Sequence, residues 1–295
     1  MNAAIFFKRG GIENLVFRPV PTPRIGPRDV LVKMRACGLN HLDIFAREGS
    51  HGVRAPLPHI GGLETAGEIA ERGSEVSGWQ VGQRVLVGSA ITCGECEFCR
   101  TGNDNLCPRR QVMGVNLDGG FAEYVRAPAS ILLPIPDQLS FVEAAATPTA
   151  FGTAWHMLAT RAAVRPGEWI LVLAAGSSIG VAAIQVAKSF GCQVIATAST
   201  AAKLERAREL GADFAINYAD RNFYHQVMQI TGNRGVDVVF EHVGTTTWEK
   251  SIASLHPTGR VVTCGSTTGR YGRTDLWSVF WKQITILGSF AFSSG

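Results

Sequence analysis

Cys93, Cys96, Cys99 and Cys107 occupy one short stretch with the spacing CxxCxxCx7C, and Gly94, Gly102 and Pro108 beside them permit tight turns. Four thiolates at about 2.3 Å complete a tetrahedral zinc shell and leave no open position, which is the chemistry of a structural rather than a catalytic ion. The stretch has almost no apolar residues of its own to bury, so the metal would supply order that a core cannot. The remaining cysteines, Cys37, Cys192 and Cys264, stand alone. They are expected to be small buried residues, because free cysteine is among the most buried residue types.

A second chemical signal lies in WILVLAAGSSIGVAAIQVAK, an apolar run, a turn of small residues and an amphipathic helical pattern. Such a turn lets a dinucleotide pyrophosphate approach the backbone and sit against the N–H groups that open the helix. Of the three glycine positions of GxGxxG, this chain keeps Gly180 and replaces the first two with Ala175 and Ser177, adding Gly176; Ser178 and Ile179 complete the turn. The next strand pattern, QVIATAS, ends at Ala198, Ser199 and Thr200, where an NAD site usually offers a carboxylate to the ribose. Without that acid, and with Ser199 and Lys203 available to a 2′-phosphate, NADP(H) is the expected cofactor.

These residues need elements to hold them. A chain of 295 residues exceeds the usual size of one domain, so two cores are expected. Up to residue 140, short extended runs separated by Gly and Pro read as a mainly β domain that carries the 93–107 loop. From residue 141, the helical stretch FVEAAATPTAFGTAWHMLATRA leads into alternating strand and helix patterns through residue 295, the signature of a doubly wound parallel sheet. The net charge of +4 arises from interspersed basic and acidic residues, not from a basic run that could track phosphates, which argues against a nucleic-acid partner. The chain has neither an apolar run long enough to span a bilayer nor a signal-peptide pattern at its start, so no membrane partner and a cytoplasmic address are expected.

Taken together, ACGLNHLD at 36–43, GGLETAGEI at 61–69, VGQRV at 81–85, the four-cysteine loop, GGFAEY at 119–124 and the cofactor loop resemble the zinc-containing medium-chain dehydrogenase/reductase superfamily over essentially the whole chain. The resemblance implies an α/β protein with a GroES-like, mainly β catalytic domain, a Rossmann domain and a substrate cleft between them. It also aligns Asn40, Leu63 and Thr149 with the catalytic-zinc ligands of alcohol dehydrogenases, and none of the three is a usual zinc ligand. The chain is closer in this respect to the quinone oxidoreductase-like branch, where Asn stands at the Asn40 position and NADPH is the usual donor. By the same resemblance Asn40 and Asp43 belong to the catalytic site, with His41 a candidate proton donor. Thr153 and Ile179 are expected beside the nicotinamide and Tyr218 near the adenosine phosphate. Val243, Gly244, Gly265 and Ser266 are expected at the ribose and amide.

The expected activity is NADPH-dependent hydride transfer to a quinone or an α,β-unsaturated carbonyl, a small-molecule substrate whose reduction needs alignment rather than a metal. The alternatives are an alcohol or sugar dehydrogenase with an atypical metal site, and an NADP(H)-binding protein without turnover. Members of the resembled group ordinarily continue beyond the strand that ITILGSF matches, so the chain reads as truncated at Gly295, with a homodimer expected once the following segment is present.

Overall fold

A computed structural model describes residues 1–219 and 222–293. It comprises two compact units, 1–149 and 150–293.

The first unit is built from β1 (Asn2–Phe6), β2 (Leu15–Pro19), β3 (Asp29–Gly38), α1 (His41–Glu48), β4 (His59–Ile60), β5 (Glu64–Arg72), β6 (Arg84–Val87), β7 (Ala90–Ile91), α2 (Glu97–Arg100), β8 (Gln111–Val112), β9 (Tyr124–Pro128), β10 (Leu132–Pro134) and α3 (Phe141–Ala145). Its main sheet has the antiparallel order β10-β6-β5-β3-β9, and β2-β1-β4 forms a second sheet. Alternating side chains of the main sheet, including Val30, Val32, Ile69, Val85, Val87, Val125 and Ala127, share one core face, as the two-residue period of a strand requires. Helix α1 starts where the Asp43 carboxylate, at its third position, accepts the Asn40 N–H at 2.8 Å, and ends at Gly49, whose φ of 72° favours a residue without a Cβ.

Helix α4 (Pro148–Trp155) begins at the end of the first unit and runs into the second, which continues with a π-helix over His156–Arg161, then β11 (Trp169–Val172), α5 (Ser178–Ser189), β12 (Gln193–Ala198), α6 (Ala201–Glu209), β13 (Phe214–Asn217), α7 (Phe223–Ile230), β14 (Val236–Glu241), α8 (Trp248–Ala253), β15 (Leu255–Thr263), α9 (Leu276–Trp281) and β16 (Thr285–Gly288). The strands lie parallel in the order β13-β12-β11-β14-β15-β16, so the chain reverses direction across the sheet between β11 and β14. Both faces are buried: Ile170, Val172, Val194, Val238 and Phe240 face one core, while Leu171, Leu173, Ile195 and Val239 face the other. This explains why these strands read as continuous apolar runs.

Three local expectations differ from the fold. The helical stretch from 141 is broken at Thr147: Ser140 and Glu143 cap α3 reciprocally, and Pro148, which lacks an N–H, begins α4 instead of continuing the first helix. In GGFAEYVRAP only Tyr124 onward is strand, because the preceding glycines approach other backbone too closely for a regular ladder; a Cβ on Gly119 would collide with the carbonyl of Gly62. Of the isolated cysteines, Cys192 is buried but Cys37 and Cys264 are only half-buried.

Candidate functional site

The four-cysteine loop folds into a metal-sized cluster. Cys93 Sγ lies 3.8 Å from Cys99 Sγ and 3.5 Å from Cys107 Sγ, Cys96 Sγ lies 3.5 Å from Cys99 Sγ, and all four sulfurs fall within 4.8 Å of one another. Ligands at the zinc–sulfur distance form a tetrahedron with edges of about 3.8 Å, so the donor set fits a structural zinc. Backbone N–H groups of Glu95 and Cys96 pull the Cys93 thiol down to about 6, while burial pushes Cys99 up to about 11. Phe98 and Leu106, the large apolar side chains of the loop, are exposed.

The positions aligned with a catalytic zinc do not fit that ion. Leu63 offers a buried apolar side chain, and Asn40 donates through Nδ2 to Glu64 Oε2 at 2.9 Å. Thr149 donates its backbone N–H to Glu64 Oε1 at 2.8 Å. Neither nearby candidate substitutes. Burial pushes the Cys37 thiol up to about 12, and its sulfur packs against Gly62 and Gly120. His59 is buried with Nδ1 3.4 Å from Asp118 Oδ1, and burial lowers its pKa.

Asn40, His41 and Asp43 are brought together at the start of α1, but in different states. Asp43 is buried, and burial raises its pKa against the N–H donors that favour its charge, including Asn40 and Gly62, the latter at 3.1 Å. Its oxygens serve the backbone rather than His41, which lies exposed with its ring 6.2 Å from that of Phe45. Asp43 thus shapes the loop ends, and His41 is open to solvent. Glu64, to which the sequence reading gave no role, is the buried acid that connects to Asn40; its signal was an ionisable residue inside the landmark GGLETAGEI, directly after Leu63.

In the second unit the expected cofactor residues other than Thr153 gather at the carboxyl ends of parallel strands, the edge where open α/β sheets bind ligands. Gly176, Ser177, Ser178, Ile179 and Gly180 follow β11; Ser199 and Lys203 follow β12; Tyr218 follows β13. Val243 and Gly244 follow β14, and Gly265 and Ser266 follow β15. Thr153, buried in α4, belongs to the same unit.

The first loop is built for close approach. Ser177 Oγ caps α5 by accepting the Gly180 N–H at 3.1 Å. A Cβ on Gly180 would stand 2.6 Å from the Ala174 carbonyl and 2.8 Å from Ala175 Cα, so only glycine allows helix and strand to meet here. Ala175 fills the first glycine position because its N–H bonds to Thr197 at 2.8 Å and its methyl is buried; the left-handed residue of this turn is Ala174, at φ 45°. The Lys203 stem lies over Gly176, where a Cβ would stand 2.7 Å from its Cδ. These features fit a dinucleotide pyrophosphate at the α5 N-terminus, whose first N–H groups have no intrahelical partner.

Two further residues support this edge. Glu241 is fully buried and accepts from Val243 N (2.6 Å), Gly244 N (3.1 Å), Thr247 Oγ1 and Ser251 Oγ (2.6 Å), which fixes the loop after β14. His242 Nε2 lies 3.0 Å from the Leu173 carbonyl, spanning the point where strand order reverses, and burial lowers its pKa. A concavity of about 250 Å³ borders these loops, lined by Gly244, Thr245, Gly265, Ser266, Arg270 and Tyr271 among others.

Residues 26–137 match the alcohol dehydrogenase GroES-like domain, and residues 178–295 match the zinc-binding dehydrogenase family. An alcohol dehydrogenase from Geobacillus stearothermophilus is 36% identical over 252 residues, covering 85% of this chain and 74% of that protein. Human quinone oxidoreductase is 29% identical over the whole chain and 81% of its own length. The crystal structure of an NAD-dependent alcohol dehydrogenase superposes with a TM-score of 0.95 at 43% identity, over 99% of this chain and 85% of that one. No helix among the described residues is long and apolar enough to cross a membrane. By its two matched domains and these relatives, the chain belongs to the zinc-type medium-chain dehydrogenase/reductase superfamily of oxidoreductases.

Proposed function

We propose that this chain is an NADPH-dependent reductase of quinones or α,β-unsaturated carbonyls with one structural zinc, acting in the cytoplasm. The observation that carries the reading is the bond from Asn40 Nδ2 to Glu64, which leaves an amide tied to a neighbouring acid at a position aligned with a metal ligand of alcohol dehydrogenases. NADPH, when bound, would supply the hydride for an electron-poor carbon. A proton from water or from the exposed His41 completes the hydroquinone or the saturated carbonyl. Asn40 offers an N–H to the carbonyl oxygen, where negative charge develops. Thr153, Ile179, Val243, Gly244, Gly265 and Ser266 are assigned to the nicotinamide half, and Ser199, Lys203 and Tyr218 to the adenosine half.

A second reading, alcohol oxidation, draws support from the 43% identity to an NAD-dependent alcohol dehydrogenase. The test is metal content per chain together with steady-state rates for quinones and enones with NADPH and for alcohols with NAD⁺ or NADP⁺, each with and without a chelator. One zinc and chelator-resistant quinone or enone reduction are expected. Two zincs with chelator-sensitive alcohol oxidation would overturn the proposal, and so would cofactor binding without any turnover.

A further inference from the structure

We propose that Glu64 is the positioning residue for Asn40, a carboxylate clamp that selects which end of the Asn40 amide meets the substrate; this rests on the reductase reading above. Glu64 opens β5, is only 4% exposed, and has no basic partner among the described residues. Both of its oxygens are engaged by neutral donors: Oε2 accepts from Asn40 Nδ2 at 2.9 Å, and Oε1 accepts from Thr149 N at 2.8 Å. Two of the three positions aligned with metal ligands are thus joined by one carboxylate.

The fold makes room for this contact. Gly38 of β3 pairs with Glu64 of β5, and a Cβ on Gly38 would overlap Glu64 Oε2 and approach the Ala145 carbonyl to 3.1 Å. Only glycine lets the carboxylate reach across. The Asn40 main chain is held independently, its N–H bound by Asp43 Oδ2, while Asp43 Oδ1 accepts from Gly62. Asn40 is therefore gripped at backbone and side chain by two different buried carboxylates.

An amide side chain carries a donor end and an acceptor end of nearly equal shape, whereas an ionised carboxylate only accepts. Both Glu64 oxygens accept in the structure, so Glu64 draws Nδ2 toward itself and uses one of its two N–H groups. The second N–H is left for an acceptor, and a substrate carbonyl oxygen that gains charge during hydride transfer is such an acceptor.

The test compares the parent chain, Glu64→Gln, and the double variant Asn40→Asp/Glu64→Gln. In Glu64→Gln one acceptor becomes a donor. We expect kcat to fall about tenfold to a hundredfold, the scale of a misplaced reacting group, with the NADPH dissociation constant and zinc content unchanged. In the double variant the pair is reversed: the carboxylate introduced at position 40 accepts from the amide introduced at position 64. The melting temperature then recovers while kcat does not, because no N–H faces the substrate. A kcat within twofold of the parent in Glu64→Gln, a parallel loss of NADPH affinity, or recovery of kcat in the double variant would each overturn the inference. If the parent turns over alcohols instead of quinones and enones, the reductase reading fails, and the clamp is judged by the same kcat ratios on the alcohol. If the parent turns over nothing, the Asn40 side-chain amide decides by ¹⁵N NMR: one slowly exchanging N–H that is lost in Glu64→Gln supports the clamp, and identical exchange in both proteins refutes it.

Discussion

Lys203 is defined by two environments at once. Its N–H bonds to Thr200 Oγ1 at the start of α6, and its aliphatic stem lies across Gly176 in the turn assigned to the pyrophosphate. Under the proposed NADPH reading its ammonium meets the 2′-phosphate, and the strand end before it offers Ala198 and Ser199 rather than a repelling acid. Lys203→Ala should weaken NADPH binding about tenfold to a hundredfold, the worth of one charge-assisted contact. NADH binding should be unchanged; fluorescence titration of both cofactors checks this, and tighter NADH binding by the unaltered protein would refute the preference. Glu241 illustrates a different residue-level role. Its carboxylate touches no solvent and serves three donors of one loop and Ser251 of α8, so it holds the 243–247 backbone in shape rather than meeting a ligand itself.

At the scale of elements, the 93–107 excursion and the β11–α5 turn are stabilised by opposite means. The turn sits on a sheet whose strands are buried on both faces, so packing orders it before any ligand arrives. The excursion has a four-residue helix α2, exposed Phe98 and Leu106, and a cluster of four sulfurs. Its order should therefore follow the metal. Cys96→Ser/Cys99→Ser should reduce zinc from one per chain to none, and limited proteolysis should then cut within 93–107. Retention of zinc by the double variant, measured by metal analysis, would rule out this ligand set. Loss of this zinc is expected to leave NADPH binding by the second unit intact, since every residue assigned to the cofactor lies in 150–293.

At the scale of the whole molecule, the second unit ends in an apolar surface. Among the described residues β16 lies at one edge of the parallel sheet, and Leu276, Trp277, Phe280 and Trp281 of α9 are all exposed, with Ile286 and Phe290 nearby in sequence. The rings of Trp277 and Trp281 stack with centroids 5.9 Å apart. A strand edge beside exposed aromatic residues is a template for association. A homodimer is proposed for the chain with the following segment present, and sedimentation velocity of that longer form should show a concentration-dependent dimer. A monomer at all concentrations would remove the proposal.

Much of the architecture was legible in the residues themselves. The CxxCxxCx7C spacing determined the metal cluster, because tetrahedral thiolate chemistry tolerates few alternatives. The apolar runs alternating with helical segments determined the parallel sheet, because strands buried on both faces cannot show the polar alternation of an exposed sheet. Asn40, Leu63 and Thr149 could be read as non-ligands by residue type alone. Only tertiary structure revealed which side chain Asn40 and Thr149 both meet. Glu64 is separated in sequence from both Asn40 and Thr149, and it reaches them because β3 and β5 pair with Gly38 opposite Glu64. Likewise, the use of Glu241 and His242 depends on β14 lying beside β11, a neighbour relation set by strand order across the sheet rather than by order along the chain. Contacts of this kind follow from which strands pair and in what register, and one-dimensional spacing does not encode either.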